Sequence, residues 1–268
     1  MQRRTAATPS SKSRHEPLAE RIQKVLADLG LGSRRQIDRW VVEGRITIDG
    51  RAAKPGDQLR GNERVCVDGR PVKRSFGRRA APQPSFAAYY KPSGLPTGVE
   101  GAQGAGRREM PDPPKHGRWL AVGALDTNAA GLVVLTTDGT LANRLTRRGS
   151  GLQQEFAARL LGHPTPAQLR QLTDGVELED GLVRPESIER GGGTGTNVWY
   201  HVVLLDAGSR EFRALLDAAG LAISRIIRVR CGPVKLGTLR RGQSRPLTRA
   251  ETDALYGLVA GDKAATHS

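Results

Sequence analysis

The segment Leu120–Thr146, "LAVGALDTNAAGLVVLTTDGTLANRLT", decides how the rest of the chain is read. Its centre, "GLVVLTT" from Gly131, is an unbroken apolar run of strand length with β-branched residues, and it predicts a strand buried on both faces. After Asp138-Gly139, "LANRLT" predicts a short helix. Just before the strand stands a lone carboxylate, Asp126, in Gly-Ala-Leu-Asp. A carboxylate held beside so apolar a strand is partly desolvated and needs a cationic partner to stay ionised. The same residue could equally be a turn or helix cap before Thr127-Asn128. Taken alone, the segment leaves both roles open.

Downstream, Thr165 opens an amphipathic helix, "PAQLRQLTDG", that Gly175 closes. "NVWYHVVLLDA" predicts a strand, "REFRALLDAAG" a helix and "ISRIIRVRCGPV" a further strand. Strands and helices mixed in this order predict an α+β domain with a large mixed, mostly antiparallel sheet flanked by helices. Upstream, Lys91 sits in "YYKPSG" at a strand end, where it could contact a ligand or merely decorate the surface. Gly98–Gly117, rich in Gly, Pro and charge, predicts an exposed loop.

Toward the N-terminus the pattern changes again. Leu18, Ile22, Val25, Leu26 and Leu29 share one helical face, which Gly30 and Gly32 end. Ser33 and Gln36 form a capping-box start for a second helix with Ile37, Trp40 and Val41 inward and Gly44 as its stop. Arg34, Arg35 and Arg39 then point outward near the helix start, where backbone N–H groups also favour phosphate. Two short alternating segments follow, the first starting at Arg45, and each ends in Asp-Gly, a hairpin-turn signal. The expected organisation is a basic disordered tail (1–15), a small α/β unit (16–72), a basic linker (73–85), a large α+β domain (86–260) and a C-terminal tail (261–268).

Charge supplies the first functional clue. The chain has 42 Lys and Arg against 27 Asp and Glu, a net +15, and a pI near 10.8. Residues 1–85 hold 19 of those cations and 9 of the acids, so about +10 lies in the first third. Such a surface attracts polyanions, and the cations are mostly Arg, which forks onto phosphate and stacks on bases. No apolar run is long enough to span a membrane, and no secretory leader is read at the start, which predicts a cytoplasmic protein. Cys66 and Cys231 lack metal-ligand spacing and read as inert. There is no phosphate-binding glycine loop, dinucleotide fingerprint, His-Glu-x-x-His or Gly-x-Ser-x-Gly, so nucleotide, metal and serine-hydrolase chemistry are disfavoured.

Three blocks, "LAVGALDTNAAGLVVLTTDGTLANRLT", "LLGHPTPAQLRQLTDGVELEDGLVRPESI" and "SREFRALLDAAGLAISRIIRVRCGPVKLGTLRRGQSRPLTRAE", resemble in order and spacing the RsuA/RluB-type ribosomal RNA pseudouridine synthases. Residues 16–72 resemble the RNA-binding domain first described in the fourth protein of the small ribosomal subunit. The resemblance implies the pseudouridine synthase catalytic fold and isomerisation of uridine in ribosomal RNA without a cofactor or metal, by a monomer working on RNA or on an assembling subunit. It implies Asp126 as the catalytic carboxylate acting on a flipped-out nucleotide, Arg213 as its ion-pair partner and Phe156 as the aromatic packing on the target base. Arg34, Arg35, Arg39, Arg45 and Lys91 are the expected RNA contacts. Without the resemblance, Arg213 reads as an exposed helix charge and Phe156 as a core aromatic. Ala124, Gln154, Phe156 and Glu211 depart from the family's usual Arg, Lys, Tyr and Gln. Those departures motivate a second reading, a catalytically weak relative acting as an RNA-binding or ribosome-assembly protein.

Overall fold

The computed structural model describes residues 19–72, 83–97, 111–112, 114, 117–179, 181–193 and 197–260. The chain divides into two compact units, one ending at Pro82 and the other starting at Gln83. The expected tails, 1–15 and 261–268, lie outside the described residues, as do most of the expected linker and of the loop from Gly98.

In the first unit the order is β1 (Glu20–Arg21), α1 (Ile22–Asp28), α2 (Arg34–Val42), β2 (Ile46–Ile48), β3 (Arg51–Ala52), β4 (Gln58–Leu59), β5 (Val65–Val67) and β6 (Arg70–Pro71). The first helix is shorter than its apolar period predicts, because Glu20 and Arg21 pair with Leu59 and Gln58 as strand. Leu29, expected on its buried face, is the C-terminal cap and is exposed. The second helix starts as its sequence predicts, with the Ser33 hydroxyl accepting the Gln36 N–H and the Gln36 side chain accepting the Ser33 N–H. Both Asp-Gly pairs sit at positive φ, Asp49 and Gly50 at 49° and 85°, Asp68 and Gly69 at 50° and 74°. Those angles define the tight hairpin turn whose twist matches the strands it joins. Ile22, Leu26, Ile37, Ile46 and Val65 close a core between the helices and the four-stranded sheet β3-β2-β5-β6.

The second unit contains β7 (Phe86–Lys91), β8 (Leu120–Val122), β9 (Ala130–Thr136), α3 (Gly139–Leu145), β10 (Gln153–Leu161), α4 (Pro166–Asp174), β11 (Val176–Leu178), β12 (Gly181–Val183), β13 (Pro185–Gly192), β14 (Asn197–Leu205), α5 (Ser209–Ala218), β15 (Ile223–Cys231), β16 (Val234–Lys235), β17 (Ser244–Pro246) and α6 (Arg249–Ala260). Seven strands run in the order β13-β14-β10-β15-β9-β7-β17, with β16 added to β15 and β8 to β9. Every pairing in this sheet is antiparallel except β15 with β9. The mixed, mostly antiparallel α+β architecture is therefore present.

The fully buried run of β9 has a simple cause. Val133 and Leu135 pack on one side of the sheet with Phe156, Leu172 and Phe212, under α4 and α5. Leu132 and Val134 pack on the other side with Leu141 and Leu255, under α3 and α6. A strand covered on both faces needs no polar alternation. At the one parallel junction, Arg228 of β15 lies opposite Gly131. A Cβ on Gly131 would stand 2.3 Å from the Arg228 carbonyl oxygen, and its φ is +110°. Only glycine lets the two strands approach there. No helix among the described residues is long and apolar enough to cross a membrane.

Candidate active site

Asp126 lies in the connection between β8 and β9, and its two carboxylate oxygens have different surroundings. Oδ1 accepts the backbone N–H groups of Asn128 and Ala129, each at 2.8 Å, and lies 3.5 Å from Arg213 Nη2. That is the turn geometry the bland sequence reading allowed, and one oxygen is enough to make it. Oδ2 is buried with no hydrogen-bond partner among the described residues. Partial burial pushes the carboxyl pKa up, but the Ser209 hydroxyl, the Ala129 N–H, the Arg213 guanidinium and the Asn128 N–H outweigh it and hold the pKa below the ordinary value. The group is thus an ionised carboxylate with one oxygen occupied by the turn and one without a hydrogen-bond partner among the described residues.

Several neighbours hold the loop that carries it. Thr97 Oγ1 donates to the Leu125 carbonyl at 2.7 Å and accepts its N–H at 3.1 Å. Ser209, the first residue of α5 and 1% exposed, accepts the Asp126 N–H at 2.9 Å. Four residues on, Arg213 faces the same loop, because i and i+4 share a helix face. Glu211, which by sequence adds a negative charge near Arg213, instead accepts the Gly208 N–H at 2.8 Å and caps α5.

Two expected contacts are corrected. Phe156 is wholly buried and stacks on Phe212, ring centroids 5.0 Å apart and 20° between planes. One of its faces is occupied by another ring and the side chain is enclosed, so in this structure it packs in the core and presents no open surface to a base. Lys91 is 1% exposed. Its ammonium donates to the carbonyls of Ala129 at 2.7 Å and Pro92 at 2.9 Å, so it braces the Asp126 loop from inside instead of reaching RNA. Burial, with the nearby Arg228, lowers the Lys91 pKa to about 8 against the opposing pull of Asp126.

In the first unit, Arg34, Arg35 and Arg39 are exposed and form no ion pair among the described residues. Arg45 is half-buried and engaged: it forks onto Asp68 at 2.7 and 2.6 Å and lies 4.9 Å over the Trp40 ring. It ties the strand end to the helix.

A cavity of about 440 Å³ adjoins Asp126, lined among others by Gly123, Gln154 and Ser209, with exposed Arg147 and Arg210 at its rim. Beneath it lies Arg228, fully buried and facing no carboxylate partner among the described residues. Its Nε donates to the Leu132 carbonyl at 2.7 Å and its Nη1 to Gln154 Oε1 at 2.6 Å, and Nη2 has no hydrogen-bond partner among the described residues. Sequence reasoning passed over Arg228, Ser209 and Thr97. Arg228 follows the buried Ile226 by two and so shares its inward face, while a register shift against β10 between Glu155 and Phe156 skips Val229 and takes Arg230 off that face, so the strand's arginines do not share one side. Only a short Gly-Ser before the helix could have pointed to Ser209, and nothing in its local sequence marks Thr97.

With this geometry in view, comparison with known proteins assigns the chain. Residues 20–65 match the S4 domain model, and residues 85–184 match the RNA pseudouridylate synthase model. The ribosomal large subunit pseudouridine synthase B of Escherichia coli is 40% identical over 246 residues, covering 90% of this chain and 84% of that protein. The protein of the same name from Pseudomonas aeruginosa is 38% identical over 244 residues, and there the match spans 90% of this chain but 63% of the relative. A crystal structure of a pseudouridylate synthase shares the fold, with a TM-score of 0.56 at 20% identity, over 88% of this chain and 99% of its own. The chain belongs to the RNA pseudouridine synthases, a family of isomerases, in the RsuA/RluB-type branch that carries an N-terminal S4 domain.

Proposed function

We propose that this protein converts uridine to pseudouridine in ribosomal RNA, with Asp126 acting through Oδ2 on a nucleotide flipped out of its helix. The observation that carries the reading is the split role of the carboxylate: Oδ1 is spent on two backbone amides, while Oδ2 is buried, charged and without a hydrogen-bond partner among the described residues. An unpaired carboxylate oxygen is costly unless it has work to do. At the sugar it can serve as nucleophile or as base. The C1′–N1 bond breaks, the freed uracil turns, the C1′–C5 bond forms, and the proton lost from C5 is matched by one gained at N1. Nothing is oxidised and no group comes from outside, so the step calls for no cofactor.

Ribosomal RNA is the substrate favoured by the names of the relatives, by the S4 domain and by the net +15 charge. Exposed Arg34, Arg35 and Arg39 are the docking contacts of this reading, and the protein works as a cytoplasmic monomer on RNA or an assembling subunit. Mapping pseudouridine in ribosomal RNA from cells with and without the gene tests it. At least one site is expected to vanish in the deletion and to return with the wild-type gene but not with Asp126→Asn. Identical maps in the two strains would refute it.

A further inference from the structure

Gln154 is the only side chain of β10 among those lining the cavity beside Asp126, and its amide is oriented from below. A guanidinium has donors and no acceptor, so the 2.6 Å contact with Arg228 Nη1 requires the Gln154 oxygen to face the arginine. The amide nitrogen must then face the other way. Nε2 makes no hydrogen bond among the described residues, although Gln154 is only 4% exposed. Arg228 cannot swing away, because Nε is anchored on the Leu132 carbonyl inside the sheet. Gly123 keeps the space open: a Cβ there would stand 2.9 Å from Arg228 Nη1 and 3.4 Å from Gln154 Oε1, and its φ of +65° also favours glycine. A fixed donor with no partner among the described residues therefore faces the cavity that Asp126 also lines.

We infer that Gln154 Nε2 is a base-recognition donor that binds a carbonyl oxygen of the target uracil, with Arg228 as the positioning residue that sets its direction. The inference rests on the proposed isomerisation. When C1′–N1 breaks, the electron pair leaves with uracil and spreads over N1 and the two carbonyl oxygens. A preorganised N–H aimed at one of them holds the detached ring and stabilises that charge without reorganisation. A neutral amide does this without placing a further cation against the buried guanidinium.

The test uses the full-length protein and unmodified ribosomal RNA of both subunits carrying tritium at uridine C5, with tritium release as readout. Gln154→Glu keeps the shape and offers Arg228 two acceptors, so its thermal midpoint is expected to hold or rise. Its turnover is expected to fall by roughly tenfold or more, as for loss of a single preorganised donor. Gln154→Met, neutral and without a donor, is expected to lose turnover similarly, and both losses should persist from pH 6 to 9. If Gln154→Glu releases tritium within twofold of wild type, the residue is only a structural partner of Arg228 and the inference fails. It fails also if the Glu loss disappears at high pH, since the variant would then act by shifting Asp126. Full activity of a folded Gln154→Met protein would overturn it as well. A wild-type protein that releases no tritium would sink the proposed function and this inference together, whereas active wild type with active variants sinks only the inference.

Discussion

Asp126 and Arg213 meet through a single oxygen, with Nη2 3.5 Å from Oδ1, while Oδ2 has no hydrogen-bond partner among the described residues. That separation is at the long limit of a hydrogen bond, and the Arg213 side chain is about a third exposed. Solvent screens such a pair, so the two backbone amides at 2.8 Å do more to position the carboxylate than the arginine does. Arg213 tunes charge; the turn sets direction.

Asp126→Asn separates these roles. The amide oxygen still accepts the Asn128 and Ala129 N–H groups, so the variant is expected to fold, while tritium release falls by roughly 10² to 10⁴. Because the folded carboxyl is held below its ordinary range, its stabilising contribution is fully present above the unfolded value near ~3.9 and is lost as pH falls through the lower folded value. Wild-type activity is therefore expected to show no acid limb above about pH 4 from this group. Urea titrations and rate profiles check both, and an Asn variant as active as wild type would remove Asp126 from the chemistry.

Gly131→Ala probes the parallel junction. The new methyl would lie 2.3 Å from the Arg228 carbonyl, and backbone cannot give way cheaply. A loss of about 3 kcal/mol or more is expected, from the clash together with the positive φ. Denaturant unfolding measures it, and a midpoint within error of wild type would show that β9 and β15 part more easily than the register implies.

Lys91 has a pH signature. Its pKa near 8 when folded lies below its ordinary 10.5, so between those values the unfolded chain keeps a proton that the folded protein has shed. Stability from this residue therefore rises as pH increases through that window, by up to roughly 3 kcal/mol. Lys91→Met should lack that rise and, having lost its bond to Ala129, should also turn over more slowly. Parallel stability curves for the two proteins from pH 8 to 10 would contradict the burial of a charged ammonium.

Exchanging Arg34, Arg35 and Arg39 together for Ala is expected to leave the melting curve unchanged and to weaken RNA binding. If all three meet phosphate, the salt dependence should drop by a slope of roughly two to three. Arg45→Ala should do the reverse, lowering stability with little effect on the slope, because Arg45 is engaged with Asp68. Filter binding at several salt concentrations distinguishes the two, and an unchanged slope in the triple variant would move the RNA contact elsewhere.

The sequence by itself determined what local chemistry controls. The α2 capping box at Ser33 and the positive-φ Asp-Gly turns follow from interactions among near neighbours in the chain, and the apolar run of β9 announces a strand covered on both faces without naming what covers it. The segment around Asp126 leaves a turn cap and a functional carboxylate both open, and the resemblance of three ordered blocks implies the catalytic role. Only the tertiary structure decided what faces what. Strand β10 and helix α6 carry no clear local period, and a strand buried under α5 hides the alternation that would announce it. The contacts of Phe156 with Phe212, Lys91 with Ala129 and Arg228 with Gln154 span 56, 38 and 74 positions. A bulge that puts two arginines of one strand on different faces, and the packing that encloses one aromatic, arise from contacts between distant elements. No short window of sequence contains both partners, so the carboxylate was legible and its surroundings were not.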